Sequence, residues 1–159
     1  MKEITIYTDG SARNNPGPGG YGVVLLFNGK RKELSAGYRK TTNNRMELLA
    51  VIEGLQALKE HCKVKIYCDS KYVIEPIQKG WLFSWKVKNW TRGKKEKVKN
   101  PDLWVLLDAL LQKHDVEFNW VKGHNGNREN DRCDFLAVSA SDDKNLLIDE
   151  NYEKNFFDS

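Results

Sequence analysis

The sequence predicts an α/β fold built on a five-stranded mixed sheet, and three observations carry that reading. Apolar runs of strand length open the chain, with Asn28-Gly29 between two of them. Amphipathic helical spacing then alternates with further short β-rich runs, an order that calls for parallel strands joined by right-handed crossovers. The tetrapeptides Ile6-Tyr7-Thr8-Asp9 and Ile66-Tyr67-Cys68-Asp69 also repeat one pattern, which neighbouring parallel strands would bring side by side. The expected architecture is an antiparallel meander of three strands plus two parallel strands, with helices on both faces.

The first strand reads as Ile4 to Thr8, delivering Asp9 at its end. A carboxylate there is costly unless its charge is compensated. Asn14 to Gly20, NNPGPGG, reads as an irregular bend that lets a ligand approach the backbone. Tyr21 to Phe27 is a near-continuous apolar run and Lys30 to Tyr38 alternates loosely, so Asn28-Gly29 is expected to form a type I′ turn. Thr41, Thr42, Asn43 and Asn44 offer N-caps to a helix whose buried side is Leu48, Ile52, Leu55 and Leu58. Val64 to Cys68 is the fourth strand, and Ser70 caps a short helix that Pro76 should kink or stop. Asn100-Pro101 places a cap and an N1 proline before the helix Leu103 to Leu111. Val116 to Val121 is the last strand, Gly123 to Asn130 a polar loop, and Asp131 to Ala140 a helix. This gives a unit over 1–141, with residues 142–159 expected to form a loosely attached, polar C-terminal tail.

A chain of 159 residues without a composition break is most simply one domain. Cys62, Cys68 and Cys133 are odd in number and lack C-x-x-C spacing, which suits packing residues in a reduced compartment. No secretory pattern precedes the first strand and no apolar run approaches the roughly 18 residues of a membrane span, so a cytoplasmic, membrane-free, monomeric protein is expected. Net charge is only +4, but it is unevenly placed. Between residues 80 and 99, Trp81, Phe83, Trp85 and Trp90 are interleaved with Lys86, Lys88, Arg92, Lys94, Lys95, Lys97 and Lys99. Such a segment offers cations to phosphates and flat rings to sugars and bases. Its plainer reading is a helix with tryptophans on the core and lysines in solvent.

Acids stand where elements begin or end: Asp9, Glu47 in the first turn of the first long helix, Asp69 after the fourth strand, and Asp134 after the loop that holds His124. Taken singly, Glu47 follows Asn44 at capping-box spacing, Asp69 is a helix-start acid and Asp134 a solvated one. Asp9 has no such excuse. Together the four suit a hard cation such as Mg²⁺, which takes oxygen ligands and keeps several waters.

TDGS with NPGPGG, the helix start TTNNRMEL, DSKYV, and VKGHNG followed by ENDRCDFLA resemble, in order and spacing, the type 1 ribonuclease H family, in its bacterial form with a basic protrusion. The resemblance covers Ile4 to Ala140. It implies a ribonuclease H-like fold and an endonuclease that hydrolyses the RNA strand of RNA/DNA hybrids without sequence preference, leaving 5′-phosphate and 3′-hydroxyl ends. Carried over by position, Asp9, Glu47, Asp69 and Asp134 are the metal-binding carboxylates, for two Mg²⁺ ions with substrate or Mn²⁺ in their place. His124 matches the family's flexible-loop histidine, which could pass protons to or from bulk water or help product leave.

The same resemblance implies that Asn15, Asn43 and Asn44 read the minor groove, where ribose 2′-hydroxyls distinguish RNA. Thr42, Arg45 and Asn100 fall where the family holds a DNA-strand phosphate, and Trp81 and Trp85 extend that grip. Lys71, Glu75 and Pro76 depart from the family pattern and put substrate contacts from their helix in question. No obligate protein partner is implied. Two rival readings remain at this point: a DNA-acting nuclease of the same fold, and a non-catalytic hybrid-binding module.

Overall fold

The computed structural model describes residues 1–93, 96–123 and 126–155. In chain order its elements are β1 (Lys2–Ala12), β2 (Gly17–Phe27), β3 (Lys30–Thr41), α1 (Asn43–Gln56), β4 (Cys62–Cys68), α2 (Lys71–Gln78), α3 (Trp81–Val87), β5 (Thr91–Arg92), β6 (Glu96–Lys97), α4 (Pro101–Lys113), β7 (Asp115–Trp120), α5 (Arg128–Ser141) and α6 (Glu150–Asn155). The five long strands form one sheet in the order β3-β2-β1-β4-β7. β1, β2 and β3 are the antiparallel meander, and β1–β4 and β4–β7 are parallel. The mixed sheet read from the sequence is the one observed. Asn28 and Gly29 both take positive φ, 48° and 76°, as a type I′ turn requires.

Helices cover both faces. Gly54 of α1 packs on Ile6 and Val23, whereas the α5 backbone at Cys133 and Ala137 faces Gly22 and Gly20. Adjacent strand positions point to opposite faces, so α1 and α5 sandwich the meander. The core lies on the α1 side, where Ile6, Val23, Leu48, Ile66 and Trp104 are fully buried. Among the described residues, no helix is long and apolar enough to cross a membrane.

The register of the two parallel strands fixes the site. β1 and β4 align Ile6 with Ile66, Tyr7 with Tyr67 and Thr8 with Cys68. The repeated tetrapeptides therefore stand side by side, with the rings of Tyr7 and Tyr67 stacked at 5.0 Å. Asp9 and Asp69 follow at one level.

Several local expectations are corrected by packing. β1 does not end at Asp9, because Asp9 to Ala12 pair with Gly22 to Gly19 of β2, and β2 itself starts at Gly17. The glycines that read as a bend are largely strand positions without side chains: a Cβ on Gly20 would collide with the Ala137 carbonyl of α5. Pro76 lies inside α2, which continues to Gln78, and its burial beside Val73 and Ile74 offsets the missing backbone bond. α5 starts at Arg128 rather than Asp131, since the Asn127 side chain accepts from the N–H groups of Glu129 and Asn130 at 3.1 and 3.0 Å.

The C-terminal segment is held rather than loose. Leu147 N–H donates to the Gly37 carbonyl at 2.8 Å, and Arg39 N–H donates to the Leu147 carbonyl at 2.9 Å. Asp149 and Tyr152 are buried. The segment reads as a loose polar tail in the sequence because the partners of its acids, Arg39 for Glu153 and Arg45 for Asp149, are distant along the chain. Phe156 and Phe157 lie outside the described residues.

Candidate metal centre

Three elements deliver the first carboxylates: β1 carries Asp9, α1 carries Glu47, and the turn after β4 carries Asp69. Gly10 makes their meeting possible. A Cβ there would run into the backbone of Met46 and Glu47, so any other residue would push α1, and Glu47 with it, off the strand. One carboxylate oxygen from each of Asp9, Glu47 and Asp69 lies within 4.8 Å of the others. Glu47 is not a capping acid. The cap is Thr42, whose Oγ1 accepts from Arg45 N–H at 3.3 Å, and the first turn of α1 holds no acid, which moves Glu47 one turn further in than the sequence suggests.

Like charges held this close are unfavourable, and the titration behaviour says so. Burial, then the charges of Asp69 and Asp134, push the Asp9 carboxyl up to about 8. Glu47 is raised well above its usual range by burial and by the charges of Asp9 and Asp69. Asp69 Oδ1 is buried without a hydrogen-bond partner. A buried carboxylate oxygen without a partner, in a cluster with two more acids, is a donor set that fits a hard divalent cation.

Asp134 sits half-buried on α5, close enough for its charge to act on Asp9. It is brought there by the tight contact of the Cys133 turn with Gly22, the residue paired with Asp9. The structure thus gathers Asp9, Glu47 and Asp69, with Asp134 beside Asp9. His124 lies outside the described residues.

The residues expected to hold substrate divide into three groups. Asn15 and Asn43 stitch the bend to the start of α1: Asn15 Oδ1 accepts from Asn43 N–H at 2.9 Å, and Asn43 Oδ1 from Ala12 N–H at 2.6 Å. Asn44 lies half-exposed beside them. Lys71, Trp81 and Trp85 line one groove of about 330 Å³ with Tyr72, Glu75, Pro76 and Arg92. Trp85 also packs edge-on against buried Trp104 at 5.5 Å, so it serves core and groove together. Trp81 is exposed, with Lys79 over its ring at 5.2 Å.

Thr42, Arg45 and Asn100 are not an open phosphate clamp, because they are 4%, 1% and 0% exposed. The Arg45 guanidinium has five N–H groups, and all are engaged. Nε and Nη2 donate to Asp149 at 2.7 and 3.0 Å, Nη1 and Nη2 to Asp102 at 3.0 and 2.7 Å, and Nη1 also to Asn100 at 3.2 Å. Asn100 Nδ2 in turn donates to the Tyr72 hydroxyl at 3.0 Å, which ties this buried frame to the groove wall. Sequence reasoning missed Asp102 and Asp149, whose acidity in a helix start and a tail gives no hint of a shared arginine.

Residues 1–142 match the RNase H family. The chain is 60% identical over 149 residues to the ribonuclease H of Desulforamulus reducens, covering 94% of both chains, and 56% identical over 151 residues to that of Trichodesmium erythraeum, covering 95% of this chain and 96% of the relative. Among solved structures it is similar to a type 1 RNase H with the type 2 active-site motif (TM-score 0.81, 29% identity, covering 97% of this chain and 80% of that one). It is also similar to LC11-RNase H1 in complex with RNA/DNA hybrid (TM-score 0.65, 27% identity, 87% and 96% covered).

Proposed function

Since the chain belongs to the ribonuclease H family and is an endoribonuclease, we propose that it cuts the RNA strand of RNA/DNA hybrids by Mg²⁺-dependent hydrolysis, leaving 5′-phosphate and 3′-hydroxyl ends. The observation that carries this reading is the cluster of Asp9, Glu47 and Asp69 with its orphaned Asp69 oxygen. Asp9, Glu47, Asp69 and Asp134 would hold the ions, with Mn²⁺ able to replace Mg²⁺. Two such ions would supply the Lewis acidity that activates the attacking water and stabilises the leaving 3′-oxygen. His124 carries protons between this site and bulk water.

The chain's own residues choose the substrate. The carbonyl oxygens of Asn15 and Asn43 are taken by backbone N–H groups, so these side chains offer their amide N–H groups to 2′-hydroxyls, with Asn44 beside them. The groove of Lys71, Trp81 and Trp85, with Arg92 on its wall, takes the DNA strand through phosphate charge and ring contact. Arg45, Thr42 and Asn100 act from behind, holding the start of α1 and Tyr72. The catalytic unit is 1–141, with residues 142–155 of the C-terminal segment fastened onto it through Leu147, Asp149 and Glu153.

Incubation with Mg²⁺ and labelled RNA/DNA hybrid, duplex DNA and duplex RNA tests the proposal. RNA-strand cleavage confined to the hybrid is expected. Cutting of duplex DNA would show a DNA-acting nuclease of this fold, and binding without cutting would reduce the chain to a hybrid-binding module.

A further inference from the structure

Lys71 opens α2 on the groove wall, and its surroundings give it a place. Its Nζ lies 5.0 Å from the ring centroid of Trp120, the last residue of β7. The same indole turns its Nε1–H to the backbone carbonyl of Asp69 at 3.1 Å. The chain after Trp120 stays against Asp69: Val121 N–H donates to the Cys68 carbonyl at 2.9 Å, and a Cβ on Gly123 would come 2.7 Å from Asp69 Oδ2. One half-exposed side chain therefore touches a cluster acid through its edge and a groove lysine through its face.

Resting on the proposed function, we infer that Trp120 is a positioning residue that sets Asp69 for metal and Lys71 for nucleic acid at once. The indole N–H anchors the turn from which the Asp69 carboxylate projects, and its π-face holds the Lys71 ammonium toward the groove. The two functions separate by substitution. Trp120→Phe keeps a ring for Lys71 and removes the N–H, whereas Trp120→Leu removes both.

Three measurements on folded protein test this: Mn²⁺ affinity by calorimetry without nucleic acid, hybrid affinity by fluorescence anisotropy in EDTA, and kcat. Trp120→Phe should weaken Mn²⁺ binding about tenfold and lower kcat, with hybrid affinity unchanged. Trp120→Leu should show the same metal defect and also lose roughly two- to fivefold in hybrid affinity. Lys71→Gln should lose hybrid affinity with Mn²⁺ affinity at its wild-type value. Wild-type Mn²⁺ affinity in Trp120→Phe would overturn the link to Asp69, and equal hybrid affinity in the Phe and Leu variants would overturn the link to Lys71. Both binding readouts are independent of turnover, so a wild-type protein that fails to cut hybrid would overturn the proposed function and still leave this inference decided.

Discussion

Arg45 and Glu47 are neighbours but one on α1, yet they sit in buried charge clusters of opposite design. Around Arg45, Asp102 and Asp149 meet a cation that the chain itself supplies, and every guanidinium N–H has an acceptor. Around Glu47, carboxylates meet carboxylates, and among the described residues no lysine or arginine forms an ion pair with Asp9, Glu47 or Asp69. Burial penalises charge in both places, and only the Arg45 cage offsets the penalty internally. Burial pushes the Asp102 carboxyl up, but hydrogen bonds and charge from Arg45 outweigh it and hold it below the usual range. Asp9 goes the other way. A structural cluster carries its counter-ion on the chain, whereas a functional one leaves that place to a cation from solution.

The strongest way to break this contrast is Asp9→Asn. It removes a carboxylate from the centre of the acidic cluster and should cost several kcal/mol of transition-state stabilisation, about a thousandfold in kcat at 1.36 kcal/mol per tenfold. In EDTA the same variant should melt several degrees higher than wild type, because the folded state no longer crowds like charges. Single-turnover cleavage and thermal melts read the two effects. A variant that loses activity but also stability would mean that Asp9 is part of the frame.

The opposite break is Arg45→Met, which leaves Asp102 and Asp149 buried and unpaired. Removing one partner of such a group costs about 3–5 kcal/mol, or roughly 10 °C in Tm for a chain of this size. The half-saturating Mg²⁺ concentration should stay at its wild-type value. Adding Asp102→Leu and Asp149→Leu should recover much of the loss, since an all-apolar replacement leaves no charge unpaired. Melting curves of the single and triple variants decide it.

The two clusters also differ in how far the sequence announces them. Asp9 and Asp69 are legible because both lie in repeated strand patterns, and the strand period of two fixes their common level once the strands pair. Glu47 is legible only through resemblance: helix-start chemistry explains it as well, and the true cap, Thr42, becomes clear only when α1 is built. The Arg45 cage was hidden because its acids come from α4 and the C-terminal strap, far apart in sequence. The same distance concealed why Gly10 and Gly22 are needed. Each answers a backbone that arrives from elsewhere, Met46 for one and Cys133 for the other, and local propensity carries no record of such contacts.

A pH dependence tells the clusters apart without mutation. Asp9 binds its proton more tightly folded than unfolded, with a carboxyl raised from 3.8 to about 8, and Glu47 is displaced in the same direction. Metal-free protein should therefore lose stability as pH rises from about 4 to 8, each titrating proton contributing at most about 1.36 kcal/mol per pH unit. Asp102 has the opposite sign: its stabilisation is present above the unfolded pKa and is lost as pH falls through its lowered folded value. Melting curves in EDTA should thus show a decline from the acidic to the neutral side, and a separate fall in strong acid. Saturating Mg²⁺ should flatten the neutral decline, because the cation competes with the protons, and leave the acid fall in place. Arg45→Met should do the reverse. If Mg²⁺ moved the acid limb instead, the clusters would have exchanged roles, and the carboxylates awaiting a cation would be those around Arg45.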